Sequence, residues 1–232
     1  KMTLGSLMKF KFLQTSIAPK FKALDNINFS VPKGGFFGII GRNGSGKSTL
    51  MRILLGSIYP DAGSEVHTHG KVIKLAMGMG FNNNLSARDN IYINGSILGM
   101  SFKEIGDEFD SILDFAGVAD FVDFPLKKFS SGMRARLAFA IAIKTKADVF
   151  LLDEFFGGVG DIGFKKKSNT AFEELLKTGK TVVIVSHSMN RVAEYCENIL
   201  LLNKGQQIGL GSPKEIIPMY ESLFKKKNKN KQ

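Results

Sequence analysis

The hydrophobic positions of this chain fall into short runs whose order predicts an α/β fold with a mostly parallel sheet. Residues 27–31 alternate apolar and polar side chains, as is typical of a half-buried strand, and a turn then leads into the apolar run Phe36 to Ile40. Such an unbroken run suits a strand that is covered on both faces. Four further short apolar runs are separated by helical segments, so we expect strands at 72–77, 149–152, 181–185 and 199–202.

A mostly helical insert is predicted at about residues 86–145. Ser101 and Glu104 have the spacing of a capping box, and Arg134 to Thr145 continues as a helix. Because the sequence contains no internal repeat, two fused copies of one domain are excluded. We expect one domain over 1–224, followed by a basic tail at 225–232. The helix that Ser101 opens should carry one apolar face, made of Phe102, Ile105, Phe109, Ile112 and Leu113.

Residues Gly41 to Ser48 match the phosphate-binding pattern G-x-x-x-x-G-K-[ST] in full. A predicted buried strand precedes the pattern and a short predicted helix follows it, which disfavours the alternative of a chance glycine-rich turn. In this pattern backbone N–H groups turn inward around phosphate oxygens, Lys47 reaches the β- and γ-phosphates, and the Ser48 hydroxyl can bind Mg²⁺. The candidate nucleotide-binding residues are Gly41, Arg42, Asn43, Gly44, Ser45, Gly46, Lys47, Ser48 and Thr49.

Two predicted strands end in side chains that suit phosphate chemistry. Asp153 and Glu154 follow the strand at 149–152; the first carboxylate can support Mg²⁺ through water, and the second can polarise a water that attacks the γ-phosphate. His187 follows the strand at 181–185, and the carboxyl ends of parallel strands converge on one crevice. Taken alone, an acidic pair is a weak signal and a single loop histidine is more often structural. The P-loop upstream strengthens the functional interpretation.

Small residues open the predicted helix near Arg134. Ser130, Ser131 and Gly132 place backbone N–H groups at a helix N-terminus, where an anion can bind. An ordinary serine N-cap is the favoured explanation of these residues when they are considered alone.

The chain carries a strong positive charge, since 32 Lys and Arg against 21 Asp and Glu give a formal +11. Such a surface attracts nucleotides, nucleic acid or anionic lipid. The lysine-rich residues 225–232 are typical of a disordered, solvated tail, with contact to an anionic leaflet as the alternative. The single Cys196 cannot form an internal disulfide, no apolar run reaches the roughly 18 to 20 residues that span a bilayer, and no signal-peptide pattern is present. We therefore expect a cytoplasmic protein.

Five segments occur in the order shown by the ATPases of ABC transporters, and on these segments the chain resembles that family. They are the P-loop, Ser130-Ser131-Gly132 before a helix, Leu151 to Glu154, Gly160-Asp161 and Ser186-His187. With Arg88-Asp89-Asn90-Ile91 and Val159-Gly160-Asp161, the chain is similar to the branch that exports polysaccharide, O-antigen or teichoic acid. The resemblance covers residues 21–211.

The resemblance implies a P-loop NTPase core of the ABC type, with antiparallel strands near the N-terminus. It also implies Mg²⁺-dependent ATP hydrolysis by two subunits that dimerise head to tail, beside a transmembrane permease at the cytoplasmic face of the membrane. Glu154 would be the catalytic base and His187 the switch histidine, while Ser48 and Asp153 would hold Mg²⁺, Asp153 through water. The dimer seam would include the signature in trans at Ser130, Ser131 and Gly132 and the D-loop acid Asp161.

Three features depart from the family pattern. Residues 77–82 contain no Gln where the family usually has one, so either Asn82 substitutes or that contact is absent. The segment Phe155 to Gly158 is unusually aromatic and rich in glycine. The aromatic side chain that would stack on adenine is not obvious, and the candidates are Phe10, Phe12 and Phe21.

Two other functions stay open at this point. A soluble ABC protein that acts on nucleic acid or ribosomes would suit the positive charge, but the chain has one cassette and no coiled-coil heptads, so nucleic acid is not the partner we expect. The second alternative function is a regulatory module that binds nucleotide without hydrolysing it. Glu154 and His187 together favour catalysis over this alternative.

Overall fold

The computed structural model describes residues 21–75, 80–153 and 162–225, which form a mixed sheet with helices on both faces. The predicted α/β class is confirmed. In chain order the elements are β1 (Phe36–Ile40), α1 (Lys47–Leu54), β2 (Val72–Leu75), α2 (Ala87–Ile97), α3 (Phe102–Ala116), α4 (Ser131–Ile143), β3 (Val149–Asp153), α5 (Ile162–Lys177), β4 (Thr181–Val185), α6 (Met189–Tyr195), β5 (Asn198–Asn203), β6 (Gln206–Gly211) and α7 (Pro213–Lys225).

The strand order of the sheet is β2-β3-β4-β1-β5-β6, and every pair is parallel except β5–β6. β1 lies inside the sheet, between β4 and β5. The loop that follows β1 therefore emerges in the middle of the carboxyl edge, where ligands bind in open parallel sheets.

The side chains of β1 alternate between two hydrophobic cores. Phe37 and Ile39 pack on the face covered by α1, whereas Phe36 and Ile40 pack on the opposite face with residues of α4 to α7. Cys196 lies in the second core, and burial raises the pKa of its thiol to about 12. The thiol is therefore protonated at neutral pH and behaves as a small apolar side chain.

Helices α2 to α4 form a subdomain with a core of its own. The predicted capping box is present, because Ser101 Oγ accepts the Glu104 N–H (3.2 Å) and the Glu104 carboxylate accepts the Ser101 N–H (2.9 Å). The Ser101 N–H and the Ser101 hydroxyl both donate to the Glu104 carboxylate, and these two hydrogen bonds lower the pKa of Glu104. Phe102, which we expected on the apolar face, is 71% exposed. The fully buried side chains of this core include Ile91, Ile105, Ile112, Leu126, Leu137 and Ile141.

Residues 27–31 do not form the predicted strand, but their side chains do alternate between half-buried and exposed. Ile27, Phe29 and Val31 are half-buried and pack against the α1 core, while residues 28 and 30 are exposed. The Asn28 N–H donates to the side chain of Gln207 (2.9 Å) instead of to a neighbouring strand. Among the described residues the antiparallel pair is β5–β6, near the C-terminus, and residues 1–20 lie outside them.

Other boundaries differ less. α4 begins at Ser131, three residues before its predicted start, and strand β6 and helix α7 had no sequence prediction. None of the described helices combines the length and the apolarity needed to cross a bilayer. α7 ends at Lys225, and the remainder of the lysine-rich tail, 226–232, lies outside the described residues.

Candidate nucleotide-binding site

The carboxyl edge of the sheet brings three predicted site segments together. Asp153 is level with Val185, and Val185 is level with Ile39, in the ladder that joins β3, β4 and β1. The P-loop, Gly41–Ser48, begins directly after β1, and His187 follows β4. Since neighbouring strands lie about 4.8 Å apart, Asp153 and the start of the P-loop are separated by about 10 Å across the sheet. That spacing leaves room for a phosphate and its counter-ion between them.

The packing around Gly41 explains why the loop begins with glycine. A Cβ atom at this position would lie 2.3 Å from the carbonyl oxygen of Leu202 and 2.5 Å from Ser45 Oγ. At the other end of the loop, Gly46 has φ +107°, and a Cβ there would lie 2.6 Å from Leu24 Cδ2. Both ends of the loop are therefore fixed against the body of the protein.

Polar groups inside the loop are arranged for an anion. Lys47 is 7% exposed, and its Nζ donates to the carbonyl oxygens of Gly41 (2.7 Å) and Arg42 (2.9 Å). Ser45 Oγ is buried and has no hydrogen-bond partner, and α1 has no side-chain cap. A phosphate oxygen would supply the acceptor that the Ser45 hydroxyl and the first N–H groups of α1 require.

The turn between β5 and β6 contacts the P-loop through a hydrogen bond to Ser45, and this turn was not predicted from the sequence. Lys204 (φ +49°) and Gly205 (φ +79°) form this turn. The Gly205 N–H donates to the Ser45 carbonyl oxygen (2.9 Å), and the Gly205 carbonyl accepts the Asp25 N–H (2.7 Å). Part of the sequence signal was present, because a two-residue turn that ends in glycine after an apolar strand is typical of a hairpin.

Asp153 ends β3 and forms an ion pair with Lys74 of β2, with 2.8 Å between Nζ and Oδ2. Oxygen donors such as the Ser48 hydroxyl and the Asp153 carboxylate are those that Mg²⁺ prefers. In this structure the Asp153 carboxylate binds a cationic group, the Lys74 ammonium. The residues present therefore fit Mg²⁺ held by Ser48 and, through water, by Asp153. Lys74 was not among the predicted site residues; its sequence signal is one charged residue within an apolar strand.

A cavity of about 520 Å³ opens beside the P-loop. It is lined by Arg42 to Ser45, by His187 after β4, by Lys204 and by Tyr220 of α7. His187 is exposed, whereas the preceding Ser186 is buried, and the Ser186 hydroxyl accepts the Ser188 N–H (3.1 Å). The structure thus brings the predicted histidine and the P-loop into one cavity.

The signature segment, Ser130–Gly132, lies at the N-terminus of α4, on the helical subdomain. Ser130 Oγ accepts the Met133 N–H (3.1 Å), so Ser130 is the N-cap of the helix. Ser130 and Ser131 are exposed. The distant end of α4 packs in the core on the sheet face opposite α1, through Phe139 and Ala142. With a rise of 1.5 Å per residue, the start of α4 at Ser131 lies roughly 12 to 16 Å from that contact.

Several predicted positions lie outside the described residues: Glu154, Phe155 to Gly158, Asp161, residues 76–79, Phe10 and Phe12. Asn82 is described, and its Oδ1 accepts the Asn84 N–H (3.0 Å) within the loop before α2. Phe21 is 88% exposed. The roles expected for all of these residues stay predictions.

A mixed sheet with a P-loop after a central strand, an acid at the end of a second strand and an inserted helical subdomain together define a P-loop nucleotide-binding protein. The family model described as ABC transporter matches residues 24–157, more than half of the chain. The chain belongs to the ABC transporter family.

Curated relatives confirm the resemblance to the exporter branch. The chain is 41% identical to the ABC transporter protein AbcA of Aeromonas salmonicida, over 88% of this chain and 66% of that protein. It is 40% identical to the teichoic acids export ATP-binding protein TagH of Lactococcus lactis, over 91% of this chain and 46% of that protein. It is 37% identical to the O-antigen export system ATP-binding protein RfbB of Klebsiella pneumoniae, over 88% of this chain and 83% of that protein. The chain thus spans less than two thirds of AbcA and TagH.

Solved structures agree on the fold. An ATP-binding subunit of an ABC transporter matches with a TM-score of 0.71 at 18% identity, covering 86% of this chain and 87% of that one. The ATP-binding cassette MJ0796, described as a dimer in a post-hydrolysis state bound to ADP and Pi, matches with a TM-score of 0.63 at 24% identity, covering 82% and 90%.

Proposed function

We propose that this chain is the ATP-binding and ATP-hydrolysing subunit of an ABC exporter whose cargo is a lipid-linked polysaccharide or a teichoic acid. The observation that carries the proposal is the convergence of the P-loop, Asp153 and His187 at one edge of the sheet. The cargo class is supported by relatives named for the export of teichoic acids and O-antigen. The chain works as a head-to-tail dimer with a second copy of itself, bound to a transmembrane permease at the cytoplasmic face of the membrane.

The P-loop binds the triphosphate of ATP. Lys47 and the uncapped N-terminus of α1 supply positive charge, and the Ser45 hydroxyl supplies a buried donor. Ser48 and, through water, Asp153 would hold Mg²⁺, which would neutralise charge on the phosphate oxygens. Because Lys47 is held within the loop by two carbonyl groups, its ammonium is in place before the nucleotide arrives.

Hydrolysis follows from the residues at the strand ends. Glu154, directly after Asp153, accepts a proton from the water that attacks the γ-phosphate in line, and His187 contacts the same phosphate from the end of β4. The signature segment of the partner subunit donates N–H groups to that γ-phosphate, and Asp161 lies at the dimer seam.

Replacement of the proposed base tests this function. Glu154→Gln keeps the shape of the side chain and removes its basicity, so nucleotide binding should persist while Mg²⁺-dependent ATP turnover falls by about 100-fold or more. The matched control is Glu174→Gln, which alters an exposed glutamate on α5 and should leave turnover unchanged.

Both assays are repeated with added DNA and RNA. Unchanged turnover in Glu154→Gln would place the base elsewhere. Turnover that depends on nucleic acid would favour the soluble, nucleic-acid-directed alternative over the exporter.

A further inference from the structure

Lys74 is a charged residue in the middle of a short apolar strand. β2 lies at the end of the described sheet and pairs with β3. Lys74 is level with Leu151, and side chains of level residues in a sheet point to the same face. Leu151 packs in the α1 core, so Lys74 and Asp153 both lie on the sheet face that α1 and the P-loop occupy.

The ion pair between Lys74 and Asp153 is partly protected from solvent. The Lys74 side chain is 28% exposed and that of Asp153 is 45% exposed, and the 2.8 Å separation is that of a charge-assisted hydrogen bond. Attraction between the two groups is therefore stronger than for a pair in bulk water, although solvent still screens it.

We propose that Lys74 competes with Mg²⁺ for Asp153 and so sets how strongly the metal promotes nucleotide binding. The inference rests on the function proposed above. When Asp153 supports the metal through water, two cations share one carboxylate at close range, and their repulsion opposes metal binding. Lys74 therefore lowers the advantage of metal-loaded over metal-free nucleotide.

The same lysine acts in the opposite sense when the metal is absent. An unpaired Asp153 carboxylate would repel the negative triphosphate across the roughly 10 Å of the sheet edge. By neutralising that carboxylate, Lys74 allows metal-free nucleotide to bind. Both effects change one measurable quantity, the ratio of the nucleotide Kd without metal to the Kd with metal.

The test is equilibrium binding of a non-hydrolysable ATP analogue to the full chain, once in EDTA and once in saturating Mg²⁺. Lys74→Met removes the charge and keeps the length of the side chain, and it should raise the ratio of the two Kd values two- to fivefold. This change corresponds to about 0.4 to 1 kcal/mol at 1.4 kcal/mol per tenfold. Lys74→Arg keeps the charge and should restore the wild-type ratio.

Lys180→Met is the matched control. Lys180 directly precedes β4 and pairs with Asp148, which directly precedes β3 (3.8 Å), so the variant removes an ion pair far from the carboxyl edge, and the ratio should not change. Thermal unfolding confirms that each variant is folded.

The outcomes separate the two proposals. A ratio that is unchanged or lower in folded Lys74→Met would overturn the role of Lys74. If the wild-type chain binds the analogue under neither condition, the proposed nucleotide site itself fails.

Discussion

The P-loop and the signature segment both place glycine and serine at a helix N-terminus, yet the structure treats them differently. The P-loop packs closely against the protein at Gly41 and Gly46, has glycines with positive φ and leaves α1 without a side-chain cap. The signature segment is exposed, and Ser130 caps its own helix. The P-loop therefore leaves N–H groups available for an anion, whereas the signature segment has its N-terminal N–H groups partly satisfied and faces solvent.

This difference indicates how an active site can be divided between subunits. A buried lysine and a rigid loop suit tight binding of a phosphate by one chain. An exposed helix start, projecting from a separate subdomain, suits a surface that closes over a nucleotide bound by another copy.

The largest effect on ATPase activity is expected from two variants, one with a substitution in the P-loop and one with a substitution in the signature segment. Lys47→Ala removes the charge that binds phosphate, and Ser130→Arg blocks the approach of the signature segment to the nucleotide. Each homodimer should be inactive. In a heterodimer of the two variants both lesions fall into one site, and the other site is wild type. An equal mixture should recover up to about a quarter of wild-type ATPase activity if sites work independently.

The measurement is a titration of one purified variant into the other at constant total protein, after subunit exchange has been verified. Ser101→Arg is the matched control for Ser130→Arg, because Ser101 is also an exposed N-cap serine of the helical subdomain, and this homodimer should stay active. If heterodimers form and activity stays at background, either the sites are not shared in this way or both must work together, and the trans role of Ser130 loses its support.

A smaller effect should follow from adding one methyl group to the P-loop. Gly41→Ala meets the Leu202 carbonyl and Ser45 Oγ, whereas Gly44 has φ +76° and nothing within 4 Å of a Cβ atom. Gly44→Ala should cost about 1 to 2 kcal/mol of unfolding free energy through its backbone conformation alone. Gly41→Ala should cost about 1 to 3 kcal/mol more through overpacking.

Urea unfolding and nucleotide binding check both variants. Equal losses for Gly41→Ala and Gly44→Ala would mean that the packing of the loop against β5 does not matter, and would weaken the contrast with the exposed signature segment.

Local signals predicted the P-loop, the capping box of α3 and the bounds of β4, because each depends on residues close in sequence. The strand predicted at 27–31 is wrong because alternating apolar and polar residues indicate that one side of a segment is buried. They do not indicate that a neighbouring strand is available to pair with it. β6 was missed because Gly209 and Gly211 weaken its pattern, and pairing with β5 supplies the order that propensity lacks. The ion pair of Lys74 with Asp153 required the register of β2 and β3, which no local signal gives.

The smallest effect on stability should come from Gly132→Ala. This variant should be slightly more stable than the wild type but less active. Gly132 lies in the first turn of α4, and a Cβ atom there would have Ser130 Oγ, at 3.8 Å, as its nearest neighbour. Because alanine favours a helix over glycine, the variant should gain up to about 1 kcal/mol of unfolding free energy. If the signature segment closes on a partner's γ-phosphate, the same methyl group obstructs that contact and ATPase activity falls.

Gly106→Ala is the matched control, since Gly106 is an exposed glycine of α3 whose Cβ would lie 3.8 Å from the Tyr92 hydroxyl. It should gain similar stability with unchanged activity. Urea unfolding and ATPase assays on both variants give the comparison, and a Gly132→Ala chain that is more stable and fully active would show that nothing approaches the signature segment during turnover.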